Sequence, residues 1–141
     1  MLKNIPAVFT PDLLSLMMKM GHGEELLICD GNYPMLTTGK ESIPRIHLPV
    51  EKIDGLLADV LKFFPLDEKV TYPAAVMEIS KETGVYDGYN KILTESGYAG
   101  KIKTLERFSF YEKAQNAAGI VVTADTRAGA NILLKKGVVR P

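Results

Sequence analysis

The apolar positions of the chain change period several times, and each change marks an element. Leu13, Leu14, Met17, Met18 and Met20 recur at helical spacing behind Thr10-Pro11-Asp12. That triplet reads as a helix start: a hydroxyl N-cap, a proline at the first helical position and an acidic residue at the positive end of the dipole. Gly21 is expected to end this helix. ELLICD is too short for a helix and is bounded by polar residues, so it predicts a buried strand closing on Asp30, with Gly31-Asn32 as turn material. PRIHLPV predicts a second short strand, and its prolines place it at a sheet edge. From Val50 to Phe64, the positions Ile53, Leu56, Leu57, Val60, Leu61 and Phe64 form one stripe of an amphipathic helix, which Pro65 stops.

AAVMEIS then predicts a strand leading into a helix around DGYNKILTESG. TLERF predicts a short strand or extended entry, and SFYEKAQNAA a helix with Ser109 near its start. GIVVTAD and NILLKKGV are two more apolar strands. Alternation of this kind argues an α/β domain with a mostly parallel sheet flanked by helices. No segment is low in complexity, no period repeats and no linker divides the chain, so residues 1–141 are expected to form a single compact domain.

Composition narrows the classes. Lys plus Arg and Asp plus Glu both number 17, so the formal net charge is zero and there is no general pull toward nucleic acid or anionic lipid. The same neutrality leaves self-association unopposed. Lys135-Lys136 is read as a solvated end. No apolar run is long enough to span a membrane, and the N-terminus does not read as a signal peptide. The one cysteine, Cys29, lies in an apolar run and is read as a small buried residue. It permits no internal disulfide, which together with the missing signal peptide gives the expectation of a cytoplasmic protein.

Motifs for the common chemistries are missing. No G-x-G-x-x-G follows a strand, no nucleophile elbow is present, and His22 and His47 stand far apart without a cysteine pair. Neither a metal nor a cofactor is expected. What remains is a set of polar residues at element ends, where α/β folds gather their sites. Asp30 ends one strand, Arg107 follows another, Thr123, Asp125 and Arg127 follow GIVV, and Asn131 opens the last. His22, between two glycines, is either a histidine at a helix C-terminus or a general acid–base group. Asp30 is either a turn residue or a carboxylate that accepts hydroxyl hydrogen bonds or orients His22. Arg107 with Glu106 reads as a solvated pair or a donor fork, Tyr33 and Tyr111 as core edges or stacking platforms, and His47 as a satisfied structural histidine.

Taken together, MGHGEELLICDGNYP, RFSFYEKAQNAAGIVVTAD and NILLKKGV resemble the L-fucose mutarotase and D-ribose pyranase family, with the second and third blocks most similar to the fucose branch. The resemblance spans the whole chain. It implies the compact α/β fold of D-ribose pyranase, assembled into a homo-oligomer, a decamer of two stacked pentamers with sites near subunit interfaces. It implies cofactor-free conversion between the anomers or ring forms of a free monosaccharide, L-fucose before D-ribose. His22 then matches the catalytic histidine, Asp30 the sugar-binding aspartate, and Asn131 the asparagine that opens the last strand. Arg107 matches the arginine of the fucose branch, where the ribose branch carries a histidine, and Tyr111 lies in the same block as a sugar contact. One departure stands out: the family's tyrosine two residues before that asparagine is Gly129 here. Tyr33, Tyr111, Asp125 or a water could supply the missing proton group. A non-catalytic sugar-binding protein and a purely structural ring-former are the rival readings.

Overall fold

A computed structural model describes residues 1–141. Helix α1 spans Pro11–Lys19, β1 Glu25–Cys29, β2 Arg45–His47, α2 Ile53–Leu61 and β3 Ala74–Met77. A single 3-10 turn, Glu78–Lys81, leads into α3, Val85–Glu95. Then come β4 Ile102–Leu105, α4 Arg107–Ala114, β5 Gly119–Val122 and β6 Ile132–Lys135. Every element expected from the pattern is present, in the expected order.

The six strands form one sheet in the order β2-β5-β1-β6-β3-β4. Five of them run the same way; β6 alone is antiparallel to both neighbours, β1 and β3. The exception has a simple cause. Parallel strands need a crossover of a dozen or more residues. Residues 123–131 between β5 and β6 contain no helix and are too few, so β6 returns against the sheet. β2 lies at the edge, bracketed by Pro44 and Pro49 as its sequence suggested.

Alternate side chains of the sheet feed two cores. Leu26, Ile28, Val76, Ile132 and Leu134 pack with α1, α2 and α3 on one face. Leu27, Cys29, Ala75, Met77, Ile120 and Leu133 pack with Phe110 and Ala114 of α4 on the other. Cys29 is fully buried, and burial first, with Asp30 beside it, pushes its thiol up to about 12.

Local signals were mostly obeyed. The Thr10 hydroxyl accepts the Leu13 N–H at 3.2 Å, as an N-cap should. The expected α1 stripe needs correction: Leu16 is buried with Leu13, Met17 and Met20, whereas Met18 is 83 % exposed. Met18 is five residues beyond Leu13, which puts it about 140° around the helix. Nor does Gly21 close α1. Met20 turns extended while its N–H still bonds to Leu16 O, and the left-handed residue is Gly23 at φ 85°. Helix α4 begins earlier than Ser109, because Glu106 caps it by accepting the N–H groups of Phe108 and Ser109 at 2.9 and 3.1 Å.

Two long-range devices fix the loops. Asp125, fully buried, caps α2 from outside by accepting the Ile53 N–H at 2.9 Å, and Arg127 clamps it through Nε at 3.0 Å and Nη2 at 2.6 Å. The same Nη2 reaches Asp54 at 2.6 Å. Burial alone would raise the Asp125 carboxyl, but the Arg127 and Ile53 bonds outweigh it and hold the group below the usual carboxylate range. In the loop after β1, the Arg45 guanidinium gathers five carbonyls, Met35 at 2.9 Å, Thr38 and Ile43 at 2.8 Å each, Lys40 at 3.3 Å and Glu41 at 3.4 Å.

Arg127→Met should therefore cost about 3 kcal/mol at pH 7 by leaving a buried charge unpaired. A carboxyl held low gives stability that is present at neutral pH and lost as it protonates. Urea denaturation should thus show the gap between the two proteins narrowing below about pH 4. Gly137→Ala should cost roughly 1–3 kcal/mol in the same measurement. A methyl group at Gly137 would collide with the backbone carbonyl of Leu66, which cannot rotate away.

Candidate active site

The direction of the five parallel strands brings their carboxyl ends to one edge of the sheet, and β6 starts there. Asp30 lies just beyond β1 and is 6 % exposed; Asn131 lies just before β6 and is 3 % exposed. Ile132 pairs with both Ile28 and Val76, so Asn131 sits level with the ends of β1 and β3. Its side-chain oxygen accepts the Asp30 N–H at 2.8 Å, while its amide nitrogen faces Met77 Sδ at 3.9 Å. Asp30 Oδ1 accepts the Asn32 N–H at 2.9 Å. Burial is the main influence on this carboxyl. It prevails over the lowering by Asn32 and Asn131, and with Asp125 nearby it raises the group above the usual range. Asp30 is thus a turn residue whose carboxylate is also buried at the carboxyl end of the sheet.

Met77 continues the site toward the other edge. With Glu78, Ile79, Glu82, Glu106 and Arg107 it lines a surface cavity of about 290 Å³. Arg107 opens α4 directly after β4 and is exposed, its guanidinium 4.8 Å from the Phe108 ring centroid. It does not pair with Glu106, whose carboxylate is engaged by the helix cap. Tyr111 stands one helical turn beyond Arg107 and packs edge-on against Phe108 and Tyr33, at 6.2 and 5.5 Å between centroids. Tyr33 closes the circuit through its N–H to Asp30 O at 3.3 Å. Contacts thus run from Asp30 through Asn131 to Met77 and, on the other side, through Tyr33 to Tyr111 and Phe108, while Arg107 lines the cavity that Met77 also reaches. Glu78, at the end of AAVM, lines the same cavity and was not singled out from the sequence.

Gly129 cannot simply be exchanged for the tyrosine of the resemblance. Its φ is 74°, and a Cβ there would stand 2.5 Å from Ile79 Cγ2 and 3.3 Å from the Ser80 nitrogen. Thr83 Oγ1 donates to Ala128 O at 3.1 Å, fastening the same loop to the 3-10 turn. Of the proposed stand-ins, Asp125 is consumed by Arg127 and Ile53. The Tyr33 hydroxyl is buried without a hydrogen-bond partner.

His22 lies elsewhere. It precedes β1, whereas Asp30 follows it, and the strand from Glu25 to Cys29 alone spans about 13 Å. The expectation that Asp30 orients His22 within one chain is overturned by this separation. The carboxylate that meets His22 is Asp67, whose Oδ1 is 3.0 Å from Nε2. It is 45 residues away in sequence, and no local pattern announces it. The His22 side chain is 39 % exposed and opens into a cavity of about 480 Å³ that Asp67, Lys69, Tyr98 and Arg140 help to line. His47 is exposed on the edge strand beside Tyr33 and Val122, so the reading of a satisfied structural histidine does not hold. No three His, Cys, Asp or Glu side chains gather closely enough to hold a metal ion.

Comparison with known proteins gives this geometry a family. The sequence model of the RbsD / FucU transport protein family matches residues 3–139. The fucose mutarotase of Danio rerio is 39 % identical over 99 % of this chain and 95 % of its own. The crystal structure of the fucose mutarotase in complex with L-fucose from Streptococcus pneumoniae superposes with a TM-score of 0.90 at 35 % identity, covering 99 % of this chain and 100 % of that one. Bacillus subtilis RbsD complexed with D-ribose shares the fold, at a TM-score of 0.80 and 16 % identity over 99 % of this chain and 100 % of that one. The chain belongs to the RbsD / FucU transport protein family.

Proposed function

We propose that this protein is a mutarotase that interconverts the α and β anomers of free L-fucose in the cytoplasm, without a cofactor. The observation that carries the reading is the near-complete superposition on a fucose mutarotase solved with its sugar, at 35 % identity. Arg107, the residue by which the fucose branch differs from the ribose branch, favours L-fucose over D-ribose.

Each residue has a chemical task. Asp30 accepts a sugar hydroxyl, the Asn131 amide orients that carboxylate, Arg107 offers its donor fork to neighbouring hydroxyls, and Tyr111 presents a ring edge. His22 moves the proton. Ring opening requires the proton of the anomeric hydroxyl to leave and the ring oxygen to gain one. Both oxygens are bonded to the anomeric carbon, so one imidazole can take the proton from the first and return it to the second as the ring carbon–oxygen bond breaks. Rotation of the aldehyde and the reverse transfer give the other anomer. Such a shuttle balances without the tyrosine that Gly129 lacks, and general acid–base help of about 10²–10⁴-fold suits a reaction that water already performs.

His22 and Asp30 stand too far apart to touch one sugar from a single chain, so His22 comes from a neighbouring copy. That places the end of one subunit that carries Asp30 against the end of another that carries His22. Leu36 and Phe108 at the first, and Val138 and Val139 near the second, supply exposed apolar surface for the joint. Head-to-tail contact closes into a ring when the rotation allows, in keeping with pentamers stacked in pairs.

His22→Ala and Asp30→Ala proteins should each leave L-fucose exchanging at the buffer rate in NMR exchange spectroscopy of its anomeric protons. Co-expressed in equal amounts, they should recover roughly a quarter of the wild-type rate, the share of joints pairing an intact His22 with an intact Asp30. No recovery would sink the shared site. Line broadening by the unaltered protein without faster exchange would favour the non-catalytic sugar-binding reading that Gly129 motivates. Asp30→Asn supplies an independent check of the buried carboxyl. A group whose folded pKa is raised adds stability below its unfolded pKa and loses it as pH rises through the folded one. The Asn variant should therefore melt above wild type at pH 7, the difference closing toward about pH 4, while sugar binding weakens.

A further inference from the structure

We infer that Ile79 determines the specificity of the sugar site. Seated on Gly129, its side chain meets the one sugar carbon that carries no oxygen and so selects a 6-deoxy sugar over its hydroxylated counterpart. The inference rests on the reading of the site as one for L-fucose and deepens it.

Ile79 stands in the 3-10 turn Glu78–Lys81 and is the one apolar residue of the four. Its neighbour Ser80 is fully buried, whereas Ile79 is 41 % exposed. The turn is held from two directions. The Ile79 carbonyl accepts the N–H groups of Glu82 and Thr83 at 3.0 and 3.2 Å. Thr83 in turn donates from Oγ1 to Ala128 O at 3.1 Å, which brings the loop before β6 down on the turn. That approach needs glycine at 129. Its left-handed backbone carries no side chain, and even a Cβ would stand 2.5 Å from Ile79 Cγ2. The loop therefore covers the Cγ2 branch of Ile79 and leaves the longer Cγ1–Cδ1 branch to the cavity that this residue lines.

The cavity is divided by polarity. Its buried floor is Met77, 4 % exposed, whose Sδ lies 3.9 Å from the Asn131 amide nitrogen. Ile79 is the wall beside that floor. Glu78, Glu82 and Arg107 are exposed at the rim, and the Glu106 carboxylate is taken by the cap of α4. Hydroxyl groups therefore find partners at Asp30, Asn131 and the rim, and none between the thioether and the alkyl wall. L-Fucose matches this division. C1 to C5 each carry an oxygen, and C6 is a methyl group on the carbon next to the ring oxygen. Burying that methyl against Met77 and Ile79 is favourable, whereas a hydroxyl added to it would lose its water without gaining a partner. An apolar wall of this kind discriminates against an added hydroxyl by on the order of 10²-fold.

Three sugars of one ring configuration test this: L-fucose with a methyl on C5, L-galactose with a hydroxymethyl group and D-arabinose with hydrogen. Their anomeric exchange is measured by NMR with wild type, Ile79→Val and Ile79→Thr. The two variants are close in size and both keep a Cγ2 for the Gly129 contact, so they differ in one methyl against one hydroxyl. Wild type should favour L-fucose over L-galactose by roughly 10²-fold in kcat/KM and over D-arabinose by about tenfold. Ile79→Val should keep most of the preference over L-galactose. Ile79→Thr should reduce it by about tenfold, chiefly by gaining on L-galactose. A second readout needs no altered activity. In wild type with 13C-labelled isoleucine methyl groups, the C6 protons of L-fucose should show an NOE to the δ1 methyl resonance that Ile79→Val removes. Equal ratios in the Val and Thr variants, or an absent NOE, overturn the inference. So does an equal slowing of all three sugars with a lowered melting temperature, which marks Ile79 as structural support for the turn. Those results leave the mutarotase reading standing. Failure of wild type to speed any of the three sugars is the separate outcome, which removes that reading and this inference together.

Discussion

The site depends on one strand running the wrong way. β6 enters the sheet between β1 and β3 and is hydrogen-bonded along both sides, so neither of its ends can drift. Its first end sets Asn131 level with the carboxyl ends of its neighbours and lets that side chain grip the Asp30 backbone. Its last end receives the loops of His22 and Asp67. Polar groups on opposite sides of the molecule are thus aligned by the same short stretch of apolar backbone. A parallel β6 would put Asn131 and the His22 loop at the same end of the sheet as each other's partners, and neither set would form.

Most of the fold was legible because it rests on local signals. Thr10-Pro11 announced α1, prolines around β2 announced an edge, and continuous apolar runs announced buried strands. The failures share a cause as well. Met18 is apolar but lies off the face that the first turn of α1 turns inward, which a list of apolar positions does not register. Glu106 caps α4 although Ser109 is the better capper by type, because only Glu106 stands where the backbone turns after β4. The positions of Asp30, Arg107 and Asn131 at element ends were legible, while Tyr111 falls inside α4. Asp67 was not legible, since its relation to His22 exists only through the pairing of two loops with β6.

Gly129 shows how a substitution in a site is held in place by its surroundings. Once the residue is glycine, the loop can take a left-handed turn and settle against Ile79 and Ser80. The Arg127 clamp and the Thr83 bond to Ala128, both just before it in the chain, then fix that approach. A larger side chain would have to displace the 3-10 turn as well as fill the space. The chemistry left to the chain is what can be done with a carboxylate, an amide, a guanidinium and an imidazole, and proton transfer between two oxygens on one carbon lies within their means.

The Arg45 side chain carries a consequence of its own. By holding the carbonyls of Met35, Thr38 and Ile43 it acts as a non-covalent cross-link between β2 and the loop that follows Tyr33. That loop has no ladder of its own, and β2 has only β5 beside it. When the edge strand detaches in a local opening, it must take the loop with it, and the wall of aromatic side chains beside Asp30 loses its cover in the same event. The edge of the sheet and the loop beside Asp30 are therefore a single cooperative unit, which opens or closes as one.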